Sequence, residues 1–134
     1  MEKRDVNKWI VFSKWIATGI LIMGIIHDIA TFTPLIQDNL HSLSEDAAKV
    51  FICFSLGTGT SLILCGIILF PLLNRLERYP FMITPILIIG VFLLIFGILS
   101  VYFMTDNPFA WVVSALCIIM FGVTLKLKIS INQS

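Results

Sequence analysis

Residues 10–33, 48–73, 81–104 and 109–127 are four stretches about as long and as apolar as a helix must be to cross a lipid bilayer. Roughly 30 Å of hydrocarbon crossed at about 1.5 Å per residue needs about 20 mostly apolar residues. Such a segment must satisfy its own backbone hydrogen bonds, which a helix does without help from any neighbour. With 58% hydrophobic and 13% charged residues among 134, the composition leaves no room for a soluble domain, and the longest stretch between spans is residues 34–47. The expected fold is an all-α integral membrane protein, a four-transmembrane-helix antiparallel up-down bundle forming one domain over residues 1–134.

Each stretch is bounded by residues that end or begin helices. Pro34 closes the first, because the residue before a proline is pushed out of the helical region. Ser42 and Glu45 have the spacing of a capping box before the second, and Glu45 and Asp46 suit the positive end of a helix dipole. Asn74–Pro80 reads as a short polar turn, and Asp106-Asn107-Pro108 supplies a cap and a first-turn proline to the fourth.

Charge then orients the bundle. Lys3, Arg4, Lys8, Lys14, Arg75, Arg78, Lys126 and Lys128 all fall at one end, and only Lys49 at the other. By the positive-inside rule the basic end is cytoplasmic, which puts both termini inside a cell membrane. Trp9, Trp15 and Tyr79 fit the inner interface and Trp111 the outer one. Residues 1–30 have a basic start, but the apolar stretch is long for a signal peptide and no small-residue cleavage site follows, so a retained span is expected. A net charge of +1 gives no basic excess that would suggest nucleic acid. The expected partners are the lipid bilayer and either further copies of the chain or another membrane protein.

Lipid tails are as apolar as leucine, so helices within a membrane associate through small residues and interhelical hydrogen bonds. Ser13, Ala17, Ile20, Gly24, His27 and Thr31 recur in steps of three and four and define one seam on the first span. On the second, Gly57, Ser61 and Cys65 recur every four residues, and Ser55 with Gly59 makes another pair. Gly90 and Gly97 serve the third, and Ala110, Ser114, Cys117 and Gly122 the fourth. Gly24, Gly57, Ser61, Gly90 and Gly97 are thus the expected helix-packing positions. Cys53, Cys65 and Cys117 lack any metal or redox spacing and read as small packing residues.

The segment "GIIHDIATFTP", residues 24–34, sets a histidine and an aspartate side by side near the outer end of the first span. Ionisable residues within spans are costly, and tend to line cavities, pair with one another or mark pathways. One expectation is an outer-half cavity lined by His27, Asp28, Thr31, Ser55, Thr58 and Ser114, holding an ion or a small amphipathic molecule. The plainer alternative is that His27 and Asp28 sit at the interface, solvated and hydrogen-bonded to Thr31, Ser55 or Thr58. A metal site would need His27 and Asp28 joined by His41, Asp38, Glu45 or Asp46, and no tight ligand pair occurs in the sequence. Motifs for nucleophilic, metallohydrolase, phosphate-loop or dinucleotide chemistry are absent, so no cofactor is expected and an enzyme is the least favoured class. The chain has the size and span number of the small multidrug-resistance transporters. It departs from them in having no glutamate within the first span and in its one-sided charge. The functions left standing are binding or transport at the outer-half cavity, a structural or accessory subunit packed against another membrane protein and, least favoured, a membrane enzyme using His27 and Asp28 as a base or metal site.

Overall fold

The computed structural model describes residues 3–132. They form α1 (Lys3–Thr31), α2 (Pro34–Leu40), α3 (Glu45–Arg75), α4 (Ile83–Phe103) and α5 (Pro108–Asn132), with a single 3-10 turn at Pro80–Met82 and no strand among the described residues. Four segments, Val6–Thr31, Glu45–Arg75, Pro80–Phe103 and Pro108–Ile131, are long and apolar enough to cross a membrane. Ile22, Ile29, Ile67, Ile88, Phe92 and Ile95 lie exposed on their outer faces. So much outward apolar surface is unsuited to water and matches lipid.

Helices α1, α3 and α5 outrun the stretches marked by hydropathy, because flanking lysine, arginine and glutamate are themselves good helix formers, whereas α4 falls within its stretch of 81–104. The loop between the first two spans also differs from expectation. Pro34 does not merely stop α1, which ends at Thr31; it occupies the first turn of the additional helix α2, where its missing N–H costs nothing. The cap of α3 is Ser44, whose Oγ accepts a hydrogen bond from the Ala47 N–H at 3.3 Å. Ser42 instead donates to the Asn39 carbonyl at 2.9 Å, which corrects the capping-box expectation: the helix begins at Glu45, too late for Ser42 to reach its first N–H groups. Asn107 does cap α5, its Oδ1 accepting from the Phe109 N–H at 3.0 Å.

In the bundle α1 lies between α3 and α5, α4 packs along α5, and α3 touches α4 less extensively. The core is a row of large side chains, with Ile20, Leu62, Leu69, Leu73, Ile86, Leu93, Met120 and Leu127 essentially inaccessible. Close approach between helices is set by glycine. A Cβ on Gly24 would lie 2.7 Å from the Gly59 carbonyl oxygen, and one on Gly66 would lie 2.7 Å from Leu21 Cβ and 3.1 Å from the Ala17 carbonyl oxygen. On the other helix pair, a Cβ on Gly97 would stand 2.9 Å from Cys117 Cβ and 3.1 Å from Ser114 Cα. Gly90 faces Thr124 and Phe121 with slightly more room.

The packing face of α3 corrects the expected one. Gly57 is exposed, with nothing within 4 Å of where a Cβ would stand, and Ser61 donates back to the Gly57 carbonyl at 2.7 Å without crossing to another helix. The glycines of α3 that meet α1 are Gly59 and Gly66. Two residues on a helix are about 200° apart, so Gly57 and Gly59 occupy opposite sides of α3.

Candidate functional site

The polar cluster forms where the last turns of α1 cross the middle of α3. Ser55 Oγ lies 3.3 Å from His27 Nε2 and 2.6 Å from Thr31 Oγ1, and Thr31 Oγ1 donates to the His27 carbonyl at 3.1 Å. A hydroxyl has one proton to give. With the Thr31 proton on the His27 carbonyl, Ser55 donates to Thr31, and the short network closes if His27 carries its proton on Nε2 and donates to Ser55. Gln37 of α2 adds a further tie, donating from Nε2 to the Thr31 carbonyl at 2.7 Å. That bond occupies one of the carbonyls a helix C-terminus leaves without an internal partner. Thr31 is buried, and His27 and Ser55 are half-buried.

On its other side the His27 ring faces Phe109, the centroids 5.9 Å apart with the planes tilted by 33°. Beneath it is a cavity of about 20 Å³ bounded by His27, Thr58, Leu62, Phe96, Ser100, Met104, Phe109, Ala110 and Val113. One water needs roughly 10–15 Å³ of such space. The cavity therefore has room for a single water and no larger cargo.

Asp28 is turned away from this cavity. A Cβ on Gly59 would collide with the Asp28 carboxylate, so only glycine admits that side chain there. Asp28 Oδ2 accepts a long hydrogen bond from Thr60 Oγ1 at 3.4 Å, while Oδ1 is buried with no hydrogen-bond partner. The His27 and Asp28 side chains thus leave α1 in different directions, as the roughly 100° between consecutive helix residues requires.

Of the residues expected to share one cavity, His27, Thr31 and Ser55 form the network, and Thr58 joins His27 at the cavity wall. Asp28 lies in the α1–α3 groove. Ser114 is buried against Gly97 on the α4–α5 side. His41 is exposed at the end of α2, and no group of three His, Cys, Asp or Glu suited to a metal occurs among the described residues.

Sequence reasoning missed Thr60, Gly66, Gln37 and Phe109 as members or supports of this region. The recurrence of glycine at 59 and 66, two turns apart, was a usable signal for the crossing. Gln37 and Phe109 become neighbours of the cluster only through the loop and the fourth span, which no periodicity reveals. Comparison with protein-family models, with curated proteins and with solved structures finds no match.

Proposed function

We propose that this is a multi-pass protein of the cell membrane acting as a structural or accessory subunit that packs against another membrane protein. The observation that carries this reading is the lack of space at the polar cluster. The hydroxyls of Thr31 and Ser55 are engaged with His27, and the adjoining cavity has about 20 Å³. Glycine crossings on both helix pairs hold the backbones too close to open a larger chamber without repacking.

In this reading the spans run up and down as an antiparallel bundle, with both termini cytoplasmic. Support comes from the crossings, where Gly24 meets Gly59 while the earlier Ala17 meets the later Gly66. The grouping of Lys8, Lys14, Arg75, Arg78, Lys126 and Lys128 supports the orientation.

The test is native mass spectrometry of the protein extracted in lipid nanodiscs. The subunit reading expects a second polypeptide at fixed stoichiometry, retained in His27→Ala and lost in Gly57→Leu, which blocks the open face of α3. The chain alone with a small molecule or ion that disappears in His27→Ala would contradict it. A second reading, binding of a cation near His27 and Asp28, is favoured by the unpartnered Asp28 Oδ1. It expects a bound ion lost in Asp28→Asn with no second polypeptide present.

A further inference from the structure

We infer that the groove between α1 and α3 at Asp28 is the docking site for a transmembrane helix of a different membrane protein, one carrying a lysine or arginine at the depth of Thr60. The inference rests on the subunit reading and adds the chemistry of the partner. Its first ground is an uncompensated carboxylate. Oδ1 of Asp28 is buried without a partner, and Oδ2 has only the 3.4 Å contact from Thr60. A carboxylate so placed is costly unless a cation or strong donor meets it.

The second ground is that no lysine or arginine among the described residues meets the carboxylate. Lys14 is fourteen residues earlier on the same helix, about 21 Å along the axis. Lys49 is eleven residues before Thr60, about 16 Å away along α3, and it pairs with Glu45 at 2.6 Å. The His27 ring is turned to Ser55 and Phe109. A second copy laid alongside in the same orientation would bring another Asp28 to this depth and repel the first. Charge complementarity therefore selects a different chain with a basic residue.

The third ground is the shape of the groove's rim. Ile25 and Phe32 of α1 and Leu64 of α3 are exposed above and below the carboxylate, so the groove is apolar along its length. One turn from Thr60, Gly57 is open, with nothing within 4 Å of a Cβ position. A small residue on an outward helix face lets a second backbone approach closely. An arriving helix can thus pass close over Gly57 at the groove's outer edge and extend its basic side chain across Thr60 to Asp28 Oδ2, while Oδ1 stays closed against Gly59.

The test uses the full chain in phosphatidylcholine vesicles with dye-labelled poly-leucine-alanine transmembrane peptides, identical except for one lysine or one leucine at the matching depth, read by energy transfer. The lysine peptide should associate roughly ten-fold more strongly than the leucine peptide, and Asp28→Asn should erase that preference. Thr60→Val, which keeps the side chain's size but removes its hydrogen bond to Asp28 Oδ2, should leave lysine-peptide binding at least as strong, and Gly57→Leu should weaken both peptides. Equal binding of the two peptides overturns the inference, as does a preference that survives Asp28→Asn, binding of neither peptide, or self-association of the chain at this groove. Equal binding that is still lost in Gly57→Leu removes the charge inference and leaves the subunit reading, which the second polypeptide in the nanodisc experiment decides separately.

Discussion

The α1–α3 pair and the α4–α5 pair are both drawn together by glycine, yet Ser55 ties α1 to α3 whereas Ser100 and Thr124 bond only within their own helices. Across α1 and α3, Ser55 bonds to His27 and to Thr31, so hydroxyl and imidazole link one helix to the other. On α4 and α5 the hydroxyls turn home: Ser100 donates to the Phe96 carbonyl at 2.9 Å and Thr124 to the Met120 carbonyl at 2.8 Å. These bonds to the residue four before satisfy a buried hydroxyl but join nothing. Polar content within a span therefore does not by itself mark a site. What matters is whether the polar atoms are spent inside one helix, between helices, or, like Asp28 Oδ1, on nothing within the chain.

The contrast can be broken first at the glycines. Gly59→Leu should have the largest effect, about 3 kcal/mol or more, since it drives a side chain into both the Asp28 carboxylate and the Gly24 carbonyl. Denaturant unfolding in mixed micelles would measure it. Gly97→Leu should follow with about 2–3 kcal/mol, because its neighbours Ser114 and Cys117 include backbone that cannot swing aside. If Gly97→Leu costs more than Gly59→Leu, the polar pair is not the more tightly constrained of the two.

Hydroxyl deletions sharpen the comparison at smaller scale. Ser55→Ala removes the link between His27 and Thr31 and should cost about 0.6–1.7 kcal/mol, the range of interhelical hydrogen bonds in membranes. Ser100→Ala removes only a bond within α4 and should cost less in the same assay. Equal losses would mean that the cross-helix network contributes nothing special. Smallest of all, Gly57→Leu should leave unfolding unchanged, because nothing lies within reach of its new side chain, and should act only on association.

The spans were legible because bilayer thickness imposes a length and an apolar content that few other structures meet. Seam positions on α1 were legible for a related reason: Ser13, Ala17, Gly24 and Thr31 are small or polar among large aliphatic residues, and all four are buried. The register of α3 was not. Its "SLGTGTS" segment offers glycines on opposite sides, and in lipid both sides of a helix are apolar, so no contrast of inside against outside selects one. The choice was made by the partner, since the flat spot at Gly24 of α1 accepts the Gly59 face. The different directions of the His27 and Asp28 side chains did follow from helix geometry, whereas the size of the cavity depended on Phe96, Met104 and Phe109, brought in by α4 and α5.

The most direct test of the central claim is a high-resolution map of the assembly extracted in native lipid nanodiscs. The account predicts a foreign helix seated against Gly57, Thr60 and Asp28, with no more than one water beside His27. A widened chamber around His27 holding non-protein density, with the α1–α3 groove facing lipid alone, would contradict it.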